Sequence, residues 1–194
     1  DGDMATLAGI TETGNAYSIT ITDTTVAAAA LNTLDGKTSV AIDASDITTL
    51  TGAAADLNTA YTANGNGSIT GLGNEAATLS DTTLAVAVLN DLDGNTSGTI
   101  NANSINTLSG TAADLNTAYT SGGISNLGNE AVTLTDTTLA VSVLNALDGR
   151  TSGTTNAGSI NTLTGAAADL NTAYTSAGIS ALNNEAITLS DTTL

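Results

Sequence analysis

The residues able to do chemistry in this sequence are almost all carboxylates, and they recur instead of converging. Asp35-Gly36, Asp93-Gly94 and Asp148-Gly149 each place an acid before a turn residue. A row of such carboxylates offers hard oxygen ligands, which makes Asp35, Asp93 and Asp148 candidate calcium ligands and calcium the one candidate cofactor. The spacing matches neither an EF-hand nor the Gly-Gly-x-Gly-x-Asp nonapeptide, and helix-terminating turns are the plainer account. Glu75, Glu130 and Glu185 recur in an Asn-Glu-Ala setting and read as solvated loop carboxylates. Gly71-Leu72-Gly73-Asn74-Glu75-Ala76 fits a loose dinucleotide fingerprint, but the equivalent Asn126-Leu127-Gly128 and Ala181-Leu182-Asn183 lose glycines, so a turn is expected there.

Catalysis finds little support. The chain has no His and no Cys, which removes the commonest general base and the most reactive nucleophile. Its carboxylates follow the repeat and mark no unique pocket, so no catalytic residue is assigned and the chain reads as a non-enzyme. Thr-x-Thr pairs such as Thr20-Ile21-Thr22 and Thr133-Leu134-Thr135 would project hydroxyls from one face of a strand, a pattern that could order water at an ice surface. Their second position varies between Thr and Ser, as it does in ordinary strands.

The net charge of −17, with only Lys37 and Arg150 as cations, excludes the clustered basic surface that nucleic acid requires. An anionic membrane would repel the chain for the same reason. Without cysteine there is neither a disulfide framework nor a thiolate metal site. No run of about 18 apolar residues suggests a membrane span, and no charged start followed by an apolar stretch suggests a signal peptide.

Repetition organises the chain. Asp23-Thr24-Thr25 returns at Asp81, Asp136 and Asp191, so the first interval is three longer than the two equal ones that follow. The block from Ala54 to Tyr61 returns from Ala112 to Tyr119 and from Ala167 to Tyr174. The three extra residues of the first unit fall between Tyr61 and Gly71 and are expected to lengthen a turn. The long units run approximately over 21–78, 79–133 and 134–188. Each is a degenerate doublet, because a Thr-Leu or Thr-Ile anchor recurs at Ile21, Leu50, Leu79, Leu108, Leu134, Leu163 and Leu189, giving an elementary period of 26 to 29.

Leu84, Val88 and Leu92 fall on one helical face, with Asp81 placed to cap that helix and Gly94 to stop it. Thr111 and Asp114 have capping-box spacing for a second, shorter helix. Alternation in Val132-Thr133-Leu134-Thr135 and Ile187-Thr188-Leu189-Ser190 suits strands. With 41% apolar residues but no Phe, Trp or Pro, the core must be thin and built from Leu, Ile, Val and Ala. A unit this small cannot bury its own apolar face, so neighbours must stack. The expected fold is therefore a repeat solenoid, parallel β or α/β, right-handed, with one strand and one short helix per 26–29-residue coil. It is expected to be continuous over residues 1–194 as a fragment of a longer array, since no atypical cap closes the C-terminus.

The stretches Ile105-Asn106-Thr107-Leu108-Ser109-Gly110-Thr111-Ala112-Ala113-Asp114-Leu115-Asn116-Thr117-Ala118-Tyr119 and Leu127-Gly128-Asn129-Glu130-Ala131-Val132-Thr133-Leu134 resemble tandem-repeat regions of giant secreted or cell-surface proteins of marine bacteria, especially picocyanobacteria. Leu89-Asn90-Asp91-Leu92-Asp93-Gly94 is also similar to repeats of cyanophage tail fibres. The resemblance implies a secreted structural protein at the cell surface: a spacer, coat, filament or adhesin subunit that self-associates laterally or end to end. A phage-fibre segment and a calcium-dependent or ice-binding adhesin are the alternatives.

Overall fold

The computed structural model describes residues 1–192, so Thr193, which ends the fourth Asp-Thr-Thr, and Leu194 lie outside the described residues. The chain opens with α1 (Met4–Leu7), β1 (Ile19–Thr20), β2 (Thr25–Ala27), α2 (Ala28–Asp35), β3 (Ile42–Asp43), β4 (Thr49–Gly52) and α3 (Ala54–Asn66). It continues through β5 (Ile69–Thr70), β6 (Ala76–Leu79), β7 (Thr83–Ala85), α4 (Val86–Asn95), β8 (Ile100–Asn101), β9 (Thr107–Gly110) and α5 (Ala112–Thr120). It ends with β10 (Ile124–Ser125), β11 (Ala131–Leu134), β12 (Thr138–Ala140), α6 (Val141–Asp148), β13 (Thr155–Asn156), β14 (Thr162–Gly165), α7 (Ala167–Thr175), β15 (Ile179–Ser180) and β16 (Ala186–Leu189).

Two compact units form. One comprises Asp1–Asp81, Asp91–Ser104 and Gly122–Ser125; the other comprises Thr82–Asn90, Ile105–Ser121 and Asn126–Leu194. The first holds a three-stranded sheet, β1-β3-β5, and a five-stranded sheet, β2-β4-β6-β8-β10. The second holds a five-stranded sheet, β7-β9-β11-β13-β15, and a three-stranded sheet, β12-β14-β16. Every strand pair in these sheets is parallel. Sheet neighbours are always two apart in strand number: between helices the chain runs through two strands, or through three at β5-β6-β7 and β10-β11-β12, and each of these joins a different sheet.

The register explains the long repeat. Thr83 pairs with Thr107 and Thr107 with Ala131, two equal steps of twenty-four along the chain. Seven positions after Ala131, with no helix between, Thr138 opens the next sheet by pairing with Thr162. Two of the long steps and one short one make up the interval from Asp81 to Asp136. The 26–29-residue period is thus an average over unequal parts, and a passage holds two or three strands, not one. In the first unit the second step, from Thr49 to Ala76, is longer by three. α3 has 13 residues against nine in α5 and α7, so the three extra residues, with one taken from the turn that follows, extend the helix and do not enlarge a turn. Gly67 stops that helix in the left-handed region at φ 82°, and Asn64 binds the carbonyl and amide of Leu72.

Alternation places one residue of each strand inward, and pairing stacks these into apolar rows. Val26, Leu50, Ala77 and Ile100 form one, Leu84, Leu108 and Val132 another, all buried. Rungs about 4.8 Å apart let Leu, Ile and Val fill these rows without aromatics. The helices cover them with Ala28, Leu31 and Leu34 of α2, and with Val141, Leu144 and Leu147 of α6. In α4 the buried set is Val86, Leu89 and Leu92, at steps of three. Leu84, expected on that helix, lies instead in β7, because the chain stays extended until Val86.

Candidate functional site

Two sets of the recurring acids are engaged in repeated hydrogen bonds. In the first, the Asp of each Asp-Thr-Thr accepts a hydrogen bond from the first amide of a helix in the preceding passage. Asp23 Oδ2 accepts from Met4 at 2.6 Å, Asp81 from Ala54 at 2.8 Å, Asp136 from Ala112 at 2.8 Å and Asp191 from Ala167 at 2.7 Å. The first helical amides have no partner within the helix, and negative charge there is favoured by the helix dipole. Asp81 therefore caps α3, not the helix that follows it. Thr111 also caps α5 from its own passage, as its spacing with Asp114 implies, while α3 and α7 have Ala at that position, which supplies no side-chain cap of its own.

The second constellation surrounds the glutamates. Glu75 and Glu130 are each 1% exposed, which overturns their reading as solvated loop carboxylates. Both oxygens of Glu75 accept from the Gly73 amide at 2.9 Å, and one accepts from Asn74 at 3.3 Å. Glu130 repeats this with Gly128 and Asn129 and also accepts from the Tyr119 hydroxyl. Glu185 accepts from Asn183 at 2.8 Å and from Tyr174 at 2.8 Å. Among the described residues no cation pairs with these carboxylates; backbone amides hold all three, with a tyrosine hydroxyl added at Glu130 and Glu185, and such directed donors stabilise the anion. The next passage closes over the two buried ones: Thr96 donates to the Glu75 carbonyl at 2.9 Å and Thr151 to that of Glu130 at 2.6 Å.

The tyrosines carry the electrostatic consequence. Burial, then the adjacent Glu75 charge, pushes the Tyr61 hydroxyl up to about 12 against the lowering effect of Thr96, although Tyr61 does not reach hydrogen-bond geometry. Burial and the bonded Glu130 push Tyr119 up as well. Partial burial opposes the charge of Glu185, but the amides of Asn183, Glu185 and Asn184 and the Tyr174 hydroxyl hold its carboxyl below the ordinary value.

This geometry also accounts for the glycine-rich stretch. Gly71, Asn126 and Ala181 all take the left-handed conformation, at φ 91°, 64° and 63°, so the turn persists where glycine is lost. The amides that a bound phosphate would need already hold Glu75.

Asp35, Asp93 and Asp148 are not brought together. Asp35 ends α2 and accepts from Ser68 at 3.1 Å; Asp148 ends α6 and accepts from Ser176 at 2.6 Å. Asp93 lies inside α4, which runs past Gly94 to Asn95. Among the described residues no three Asp, Glu, His or Cys side chains are grouped to hold a metal.

A third set was not assigned from the sequence. Asn32, Asn90 and Asn145 donate through Nδ2 to the carbonyls of Asp56, Asp114 and Asp169, one passage further along the chain, at 2.9, 3.0 and 3.0 Å. The recurrent Leu-Asn pair is its only signal. No helix among the described residues is long and apolar enough to cross a membrane. No protein-family model, curated protein or solved structure matches the chain.

Proposed function

We propose that this chain is a non-catalytic structural repeat of an extracellular surface protein, a spacer or coat module whose passages build an α/β solenoid. One observation carries the reading: each recurrent polar constellation bonds one passage to the next. The four Asp caps, the threonines that close over Glu75 and Glu130, and the Asn ladder all span roughly one passage. Stability in such an array comes from nearest-neighbour interfaces, so length can be added without redesigning a core. The resemblance to secreted giants of marine bacteria supports the extracellular setting, and the acidic surface favours solubility there.

Sedimentation across a concentration series, followed by negative-stain microscopy, tests the self-associating form of this reading. Linear or sheet-like assemblies support it. A monodisperse monomer at every concentration would leave a passive spacer and remove self-assembly. Calcium-dependent adhesion is tested by a thermal melt with calcium and then excess chelator: an unchanged melting temperature is expected, and a large fall on chelation would favour the adhesin.

A further inference from the structure

α2 has eight residues and is about 12 Å long, whereas α1 beside it makes a single turn of four. The sequence sets that difference. Gly9 follows the α1 cap at Ala8, the amides of Gly9 and Ile10 turn back to the carbonyls of Thr6 and Leu7 at 3.1 and 3.0 Å, and the chain leaves the helix there. On this side the later part of α2 is only partly covered. Between the two helices lies a cavity of about 270 Å³, floored by the buried Leu7 and Leu34 and walled by Met4, Ile10 and Ala30. It opens to solvent beside Ala8 and Thr33, both exposed. Lys37 also lines it, so one of the chain's two cations stands at a hollow whose other walls are almost all apolar.

Charge and repeat position define the occupant. Lys37, Asn95 and Arg150 each follow an Asp-Gly pair and hold the same place in the repeat. Asn95 spends its amide on Asn58 of α3, at 2.9 Å. Arg150 is exposed, and the groove between α5 and α6 has Asp136, Asn116 and Ser142 in its lining. At Lys37 the cation lines the cavity itself. Its ammonium has three donors, and the Thr11 carbonyl accepts one of them at 3.4 Å. Asp35, the acid nearest in sequence, is engaged with Ser68 of the following passage. At the other end Asp23, which precedes α2, accepts from the Met4 amide at 2.6 Å. An anionic group is therefore attracted at the Lys37 end of the cavity and repelled at the Met4 end, which fixes the direction of a ligand carrying one charge. The volume lies just under the range of about 300 Å³ upward that drug-sized ligands use, so the ligand is small. An apolar body with a single anionic end is an alkyl carboxylate.

We propose that the cavity between α1 and α2 binds a short, free alkyl carboxylate, its tail on Leu7 and Leu34 and its head at the Lys37 ammonium. The test is to titrate the isotope-labelled full chain with octanoate and with octanol, following amide shifts. Saturable shifts confined to residues 4–10 and 30–37 are expected for octanoate, with a Kd of about 1 mM or tighter and with octanol bound at least about tenfold more weakly. Lys37→Gln should lower the octanoate affinity to that of octanol, and Lys37→Arg should retain it. Ala30→Leu, at an exposed helical position, should fill the cavity and weaken octanoate at least about tenfold. No saturable shift by about 10 mM octanoate would overturn the proposal. Equal binding of octanoate and octanol, or octanoate binding unchanged in Lys37→Gln or Ala30→Leu, would overturn it as well. Shifts spread over the other helices would mark general adsorption and have the same force.

Discussion

The Asp136 carboxylate sits 2.8 Å from the amide nitrogen of Ala112, 24 residues earlier in the chain. A cap usually comes from the residue just before its helix. Here it comes from the next passage, so the Ala112 amide gains its partner only once that passage has docked, while Thr111 caps the Asp114 amide locally. Asp136→Ala should cost about 1 kcal/mol. A lower urea midpoint, with faster hydrogen exchange at the Ala112 amide, is the expected result; Asp136→Asn should recover part of it. An unchanged exchange rate at Ala112 would deny the cap.

Thr155 occupies the inward row where the preceding unit has Ile100, and its hydroxyl is buried without a partner. Thr155→Val removes that hydroxyl at nearly constant shape. It should stabilise the chain by about 1 kcal/mol, read as a higher urea midpoint.

Gly153 lies against the Glu130 carbonyl with no room for a β-carbon. Gly153→Val should push that carbonyl away and loosen the bonds from Thr151 and Ser152, at a cost of about 2 to 3 kcal/mol. The same change should leave Tyr119 more exposed, seen as a shift in tyrosine fluorescence. Gly36, at the end of α2, should accept Ala with little effect, since a β-carbon there meets only ordinary contacts.

Tyr61 ties stability to alkaline pH. Its hydroxyl is held neutral in the fold up to about 12, whereas an unfolded tyrosine ionises near 10. The unfolded state thus loses its proton first. Stability from this group is complete below about pH 10 and falls as pH rises toward 12. Glu75→Gln removes the neighbouring charge, a contributor second to burial, and should narrow that window. Urea midpoints measured from about pH 9 to about pH 12 check both statements.

Much of the repeat was legible in the sequence and much of its wiring was not. The long period, the strands at Val132–Leu134 and Ile187–Leu189, and the Thr111 cap follow from local spacing, which is how strands and capping boxes are written. The shorter register between paired strands was hidden, because the seven-position step between Ala131 and Thr138 blends into the doublet and shifts the apparent period. A local rule gives Asp81 to the nearest helix, while its true partner, Ala54, lies 27 residues back. Glu75 and Glu130 read as solvated because Asn and Gly flank them. Those same small residues let the backbone fold back and present its amides to the carboxylate.

The seven-position step also sets the smallest piece of gene that such a protein can copy. Duplicating a single passage would add a strand to a finished sheet and leave an Asp-Thr-Thr cap without its helix. Duplicating one whole long unit delivers two passages, their cap, their nest and the move to a new sheet together. Tandem expansion should therefore proceed in cassettes as long as the stretch from Asp81 to Asp136, with small length changes tolerated only at places such as the end of α3, where the chain has already absorbed three residues.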